Sequence, residues 1–193
     1  MIKKHIKESI SVKKKILEND IIINEIDKIS QACIQAYKKG NKLLFAGNGG
    51  SAADSQHIAG EFVSRFYFDR PGLSAIALTT DTSILTAIGN DYGYDQLFSR
   101  QIEAVGCKGD IFFGISTSGN SKNIIEGLKK AKENKLITVG FSGESGGDMQ
   151  NLCDYCINIP SSDTPRIQES HILVGHIICY IVEKKMFELD WKL

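Results

Sequence analysis

The sequence predicts an α/β protein: a three-layer α-β-α sandwich around a five-stranded parallel sheet, with helices added in front and one long helix behind. Three observations predict this. Short, unbroken apolar runs such as Leu43-Leu-Phe-Ala46 and Ile111-Phe-Phe113 recur along the middle of the chain, as strands buried on both faces require. Two of these runs lead straight into a glycine- and serine-rich loop and then a helical stretch. The closing segment is a long helical stretch that is apolar nearly all round. Strands alternating with helices in this way form parallel sheets joined by right-handed crossovers.

In chain order, residues 1–40 are expected to be helical. Ile22, Ile26, Ile29, Cys33 and Tyr37 recur at steps of three and four, the spacing of one helix face. Ile2, Ile6, Ile10 and Leu17 form an earlier stripe with Lys13 in its gap, and the lysines around them mark a solvated face. Gly40-Asn41 ends this region. Strands are expected at about 42–46, 74–79, 110–115, 136–141 and 155–159. Thr164 is placed to cap the last helix and Pro165 to open it, where no N–H is needed. That helix runs to about Glu188, with Trp191 in the tail beyond it. Ile172, Leu173, Val174, Ile177, Ile178, Ile181 and Val182 surround it. One α/β layer covers only one side of such a helix, so further copies of the chain are expected to cover the rest. Residues 1–193 form one domain in this reading, with 1–40 packing in the oligomer and 41–193 supplying the α/β core and closing helix.

The chain has 193 residues, with 23 basic and 23 acidic side chains and no net charge. It therefore lacks the broad positive field of a non-specific nucleic-acid binder. With 42% apolar and 24% charged residues it is neither disordered nor fibrous. The most apolar run, Ile172 to Val182, is broken by His176 and falls short of the ~20 residues a bilayer takes, so no membrane role is expected. Five cysteines with no leader-like apolar stretch ahead of them point to reduced thiols and the cytoplasm. Cys153-Asp-Tyr-Cys156 has the spacing of a redox or zinc pair. It enters a strand-like run, however, where residues three apart face opposite sides. No second such pair completes a zinc site, so the cysteines are expected to be structural.

The two loops lie where strands end and helices begin, the edge at which open α/β sheets bind ligands. Helix N-termini offer free N–H groups and a positive dipole end to phosphate. Ser116, Thr117, Ser118 and Ser121 add hydroxyls, and Gly119 lets the backbone approach. Neither loop carries the Gly-Lys-Ser/Thr ending of a P-loop or a Gly-x-Gly-x-x-Gly, which argues against a nucleoside triphosphatase or a dinucleotide fold. Two loops at strand ends point instead to a phosphate ester of sugar size. Gly47-Asn48-Gly49-Gly50-Ser51 opens a helix on which Ser51 to Asp54 has capping-box spacing. On it His57 and Glu61 stand four apart, sharing a face. On the last helix Gln168 and His176 are separated by about 80° of rotation, so both can border one cleft. A carboxylate and imidazoles can hold zinc or move protons, although His57 taken alone reads more readily as a core histidine. His171 points elsewhere and is given no role.

Four ordered motifs carry a resemblance. Leu44-Phe-Ala-Gly-Asn-Gly-Gly-Ser-Ala-Ala-Asp-Ser-Gln-His57, Ile88-Gly-Asn-Asp-Tyr-Gly93, Gly114-Ile-Ser-Thr-Ser-Gly-Asn-Ser121, and Arg166-Ile-Gln-Glu169 followed by His176 resemble the phosphoheptose isomerases, a branch of the sugar isomerase (SIS) domain family. The likeness runs over nearly the whole chain. It implies a flavodoxin-like SIS fold and conversion of sedoheptulose 7-phosphate to D-glycero-D-manno-heptose 7-phosphate through an enediol. That is the first step of nucleotide-activated heptose synthesis, for lipopolysaccharide or capsule. It also implies a homotetramer with active sites between subunits.

By motif position, the resemblance makes Glu61 and His176 the catalytic pair, with Glu61 as the base. His57, Glu61, Gln168 and His176 would hold zinc. Asn48, Gly49, Gly50, Ser51, Glu61, Asn90, Asp91, Ser116, Thr117, Ser118, Ser121 and Gln168 would hold substrate, with Arg65, one helical turn beyond Glu61, reaching it too. One position departs from the pattern. The residue before Arg166 is acidic in some members of the family and is Pro165 here. Proline can neither ionise nor donate an N–H, so any contact made by that acid is missing. Two rivals share the sheet and the serine loop: a non-catalytic SIS protein and a hexose-phosphate isomerase. The first has no need of a carboxylate and imidazole held together, and the Gln168 to His176 helix argues against the second.

Overall fold

The computed structural model describes residues 1–187. The helical start is two helices, α1 (Ile2–Leu17) and α2 (Asp20–Lys38). Asn19 breaks them apart, its side-chain oxygen accepting from the N–H groups of Ile21 (3.0 Å) and Ile22 (3.2 Å), as an N-cap does. There follow β1 (Leu43–Gly47), α3 (Gly50–Val63), β2 (Ala75–Ala77), α4 (Thr82–Asp91), α5 (Ser99–Val105), β3 (Ile111–Ile115), α6 (Lys122–Glu133), β4 (Ile137–Ser142), β5 (Tyr155–Asn158) and α7 (Thr164–Phe187).

All five strands are parallel, in the order β2-β1-β3-β4-β5. The sheet sits between two apolar layers, and the alternation along β1 shows how. Leu43 and Phe45 point into a layer shared with Ile26 and Ile29 of α2, Phe62 of α3, and Val174 and Ile178 of α7. Leu44 and Ala46 point into the opposite layer, with Ile102 of α5 and Ile124 and Leu128 of α6. Every residue of β1 and β3 is buried, which is why both read as continuous apolar runs. β2, at the sheet edge, is shorter than the sequence suggests because the chain leaves the ladder at Ala77.

Two expectations about α7 need correction. The helix begins one residue earlier than the capping pattern proposes: Thr164 is already helical, and the Asp163 carbonyl accepts the first helical bond, from Ile167 N–H at 3.0 Å. Its apolar girth is also largely covered within the chain, because α1, α2 and α3 all pack on it. A row of uncovered apolar side chains lies on α1, where Ile2, Ile6, Ile10 and Leu17 are exposed. The expected end near Glu188 and the Trp191 tail lie outside the described residues.

Candidate active site

β1 delivers the chain to the carboxyl edge of the sheet, and α3 starts there. Gly49 stands at the turn with φ of 55°, a conformation that favours glycine. The capping-box reading of Ser51 and Asp54 does not hold. Gly49 occupies the cap position with no side-chain bond, and Ser51 lies buried inside the helix, its carbonyl accepting from Ser55 Oγ at 2.8 Å. α7 runs alongside α3. A Cβ on Gly50 would stand 2.6 Å from Gln168 Nε2, so Gln168 lies directly over the first turn of α3. Two turns further on, Gly175 lets α7 come so close that a Cβ there would meet Ile58 Cδ1 at 2.6 Å.

That approach joins the titratable groups. His57 Nε2 is 3.2 Å from Glu61 Oε1 and 3.3 Å from His176 Nε2. The candidate ligand atoms of all three residues lie within 4.8 Å of one another. Two imidazole nitrogens and a carboxylate oxygen at this spacing suit zinc, and the residues therefore fit the metal. Phe66 packs against the His176 ring at 5.4 Å between centroids. Burial, and then the neighbouring His57, hold His176 below the usual imidazole range, while Glu61 pulls the other way. Asp54, one turn before His57, is pushed up to about 6 by burial against the pull of His57. Its Oδ2 is buried and, among the described residues, has no hydrogen-bond partner.

The serine loop closes on itself at the neighbouring strand end. Ser116 Oγ pairs with Ser121 Oγ at 2.9 Å and Ser118 Oγ at 3.4 Å, and Ser121 stands at the N-cap position of α6 without a side-chain bond to the helix. Thr117 and Ser118, with Asn120, Ser161 and Thr164, line an open cavity of about 350 Å³. Asn48 ties the two loops together. It exchanges hydrogen bonds with Asn123 of α6 (2.9 and 2.8 Å) and accepts from Tyr94 Oη at 2.9 Å.

The SIS domain model matches residues 4–143, well over half of the sequence. The chain belongs to the SIS domain family. Within it, this SIS domain is 66% identical over 186 residues to phosphoheptose isomerase 2 of Campylobacter jejuni, covering 96% of this chain and 92% of that protein. Two solved structures share the fold at high similarity. Phosphoheptose isomerase from Francisella tularensis superposes with a TM-score of 0.91 at 34% identity, covering 95% of this chain and 96% of that one. The enzyme from Neisseria gonorrhoeae gives 0.89 at 41% identity, covering 95% and 97%.

Not every candidate residue of the SIS domain converges. Asn90 donates to Asp91 at 2.8 Å at the exposed end of α4, and among the described residues neither bonds to the histidine–glutamate cluster. Arg65 is not one helical turn beyond Glu61, because α3 stops at Val63. It is exposed and, among the described residues, makes no hydrogen bond or ion pair. Sequence reasoning passed over Arg70. Its guanidinium pairs with Glu183 of α7 at 3.0 Å, both side chains buried, and donates to the main-chain oxygens of Glu61 (2.8 Å) and Phe62 (2.6 Å). Glu183 also accepts from the N–H groups of Phe66 and Tyr67 at 2.8 and 2.7 Å. This pair fixes the end of α3, and with it Glu61, to α7.

Proposed function

We propose that this SIS domain is a ketose–aldose isomerase that converts sedoheptulose 7-phosphate to D-glycero-D-manno-heptose 7-phosphate. The observation that carries the reading is the meeting of Glu61 and His176 around His57, drawn from two helices more than a hundred residues apart in sequence. Kinship with phosphoheptose isomerases over nearly the whole chain supports the choice of substrate.

The chemistry follows from the residue types. Glu61, as carboxylate, takes the proton from C1 of the ketose and returns it to C2. Between those events the sugar is an enediol, and one proton must move from the C1 oxygen to the C2 oxygen. His176, held toward its neutral form by burial, can give and accept that proton. Hydroxyls of Ser116, Thr117, Ser118 and Ser121 hold the phosphate at the start of α6, where N–H groups and the helix dipole favour an anion. Gln168 lies over the first turn of α3. Asn48, Gly49 and Gly50 complete the floor, and Asn90, Asp91 and Arg65 are assigned to substrate when the site is closed by further copies of the chain. His57, Glu61 and His176 would hold zinc, with Gln168 as a fourth donor. Zinc there would supply Lewis-acid polarisation of the sugar oxygens. The assembly proposed is a homotetramer in the cytoplasm. Among the described residues no helix is long and apolar enough to cross a membrane.

Incubation with sedoheptulose 7-phosphate and with hexose phosphates, followed by NMR, tests the reading. The aldose should form from the heptulose alone. Glu61→Gln keeps the shape of the side chain and removes the base, so kcat should fall by at least ~10²–10⁴-fold. A Glu61→Gln protein at full activity removes Glu61 from the mechanism.

A further inference from the structure

The Cys153–Cys156 pair has no part in the isomerisation, and its sulfurs are not on opposite sides as an extended chain would place them. Asp154 is the reason. Its carboxylate accepts from Thr138 N–H at 2.8 Å and Thr138 Oγ1 at 3.0 Å, and its own N–H donates to the Thr138 carbonyl at 2.9 Å. This clamp to β4 bends the chain just ahead of β5 and turns Cys153 back over the sheet. A Cβ on Gly140 would stand 2.7 Å from Cys153 Sγ and 3.1 Å from Cys156 Sγ. Both sulfurs therefore converge on the bare face of one glycine. The other thiols are placed differently: Cys33 and Cys179 are buried, and Cys107 is exposed. Contact with Cys156, reinforced by burial, raises the Cys153 thiol, while contact with Cys153 lowers the Cys156 thiol below its ordinary value.

Just before Cys153 lies a short 3₁₀ turn, Asp148–Leu152, that grips the serine loop. Asp148 N–H donates to Asn120 Oδ1 at 2.9 Å, and Met149 N–H donates to the Gly119 carbonyl at 3.0 Å. We propose that Cys153 and Cys156 are a redox site, closed to an intramolecular disulfide by exchange with a small-molecule disulfide, and that closure weakens the hold of the serine loop on its phosphate ester. The second half of the proposal rests on the isomerase reading; the first half stands without it.

The exchange balances. The Cys156 thiolate attacks one sulfur of the external disulfide, forming a mixed disulfide and releasing one thiolate, which takes up a proton. Cys153 then loses its proton and attacks the Cys156 sulfur, releasing the second thiol. The chain gives up two electrons and two protons, and the reagent gains both. The new bond draws the sulfurs to ~2.05 Å. Asp154 is held to Thr138 of β4 by four hydrogen bonds, so the displacement passes to the Cys153 side and into the turn that holds Gly119 and Asn120.

The test uses the full chain carrying Cys107→Ser, which removes the exposed competing thiol. The protein is equilibrated across ratios of reduced to oxidised glutathione, free thiols are alkylated, and digests are read by mass spectrometry. A peptide disulfide-linked between Cys153 and Cys156, absent after Cys153→Ser or Cys156→Ser, is expected. The oxidised protein should show KM for sedoheptulose 7-phosphate raised about fivefold, as for one lost hydrogen bond, with kcat little changed and dithiothreitol restoring the original value. Both cysteines still alkylated under oxidised glutathione alone, or glutathione adducts without the linked peptide, overturn the redox site. A linked peptide with unchanged KM overturns the coupling to the loop. Failure of the reduced protein to turn over the sugar would defeat the isomerase reading, while the mass measurement would still decide the disulfide.

Discussion

His171 and His176 stand five residues apart on α7 and inhabit different chemistry. His176 is half-buried and faces His57. His171 is wholly buried, with Nε2 3.1 Å from the Ser142 carbonyl, so that nitrogen must carry its proton and donate. Burial pushes His171 down to about 4, below the ordinary imidazole value near 6.5. The unfolded chain therefore binds a proton that the folded chain refuses between those two values, and folding is favoured by its absence. The stability contributed is complete above about pH 6.5 and falls as pH drops, with ~3 kcal/mol lost by about pH 4. Denaturant titrations of wild type across that range should show the loss, and His171→Gln should flatten it while lowering stability at neutral pH. An unchanged slope would mean that His171 is not the group responsible. Helix spacing separates this histidine from His176, because five residues on a helix turn a side chain well away from its partner. The sequence could not show Arg70 and Glu183, which meet across 113 residues with no spacing rule to join them. Nor could it show Asp54, whose oxygen, buried once the fold surrounds it, finds no partner among the described residues.

At the scale of elements, the site is made by how closely two helices run. α3 and α7 approach at Gly175, and the same approach sets His176 against His57 one position later. Gly175→Ala would drive a methyl group into Ile58 Cδ1, a contact of 2.6 Å in the present backbone. Overpacking of this kind costs ~1–3 kcal/mol, and the separation it forces falls on the histidine pair. Turnover should drop, and Ile58→Ala, which removes both atoms in the way (Cδ1 at 2.6 Å and Cγ1 at 2.9 Å), should restore part of it in the double variant. Turnover unaffected by Gly175→Ala would show that the helix spacing does not set the site. Three- and four-residue periodicity made α1 and α2 legible, and continuous apolar runs made the strands legible, since burial on both faces leaves no alternation to misread. Their neighbours were not legible. The helical register assumed for Arg65 failed because α3 stops at Val63, two residues short of it, and the placement of the cysteines failed because the Asp154 clamp bends what sequence alone treats as extended chain.

For the molecule as a whole, the unfinished surface is α1. Ile2, Ile6 and Ile10 follow one helix face and are exposed, as are Leu17 beyond them and Ile21 on α2. A contiguous apolar face of this kind on a chain with a well-buried core marks a protein interface, and further copies of the chain are its proposed occupants. α1 is also wired to the site. Lys13 donates to Glu169 at 3.1 Å and Arg166 donates to the His5 carbonyl at 2.7 Å, so the helix that carries the apolar face also braces the residues on either side of Gln168. Lys13, a gap in the apolar stripe when the sequence is read alone, is the contact that docks α1 on α7. Placing charge in the face, with Ile6→Glu and Ile10→Glu together, leaves both intrachain bonds in place and should dissociate the assembly, as sedimentation velocity would record. Isomerase activity should fall with it, because Asn90, Asp91 and Arg65, which one chain leaves outside the cluster, then lose the neighbour that would close the site around them. A double variant that keeps the wild-type sedimentation coefficient would show that the copies meet elsewhere. One that dissociates at full activity would show that a single chain holds the complete site.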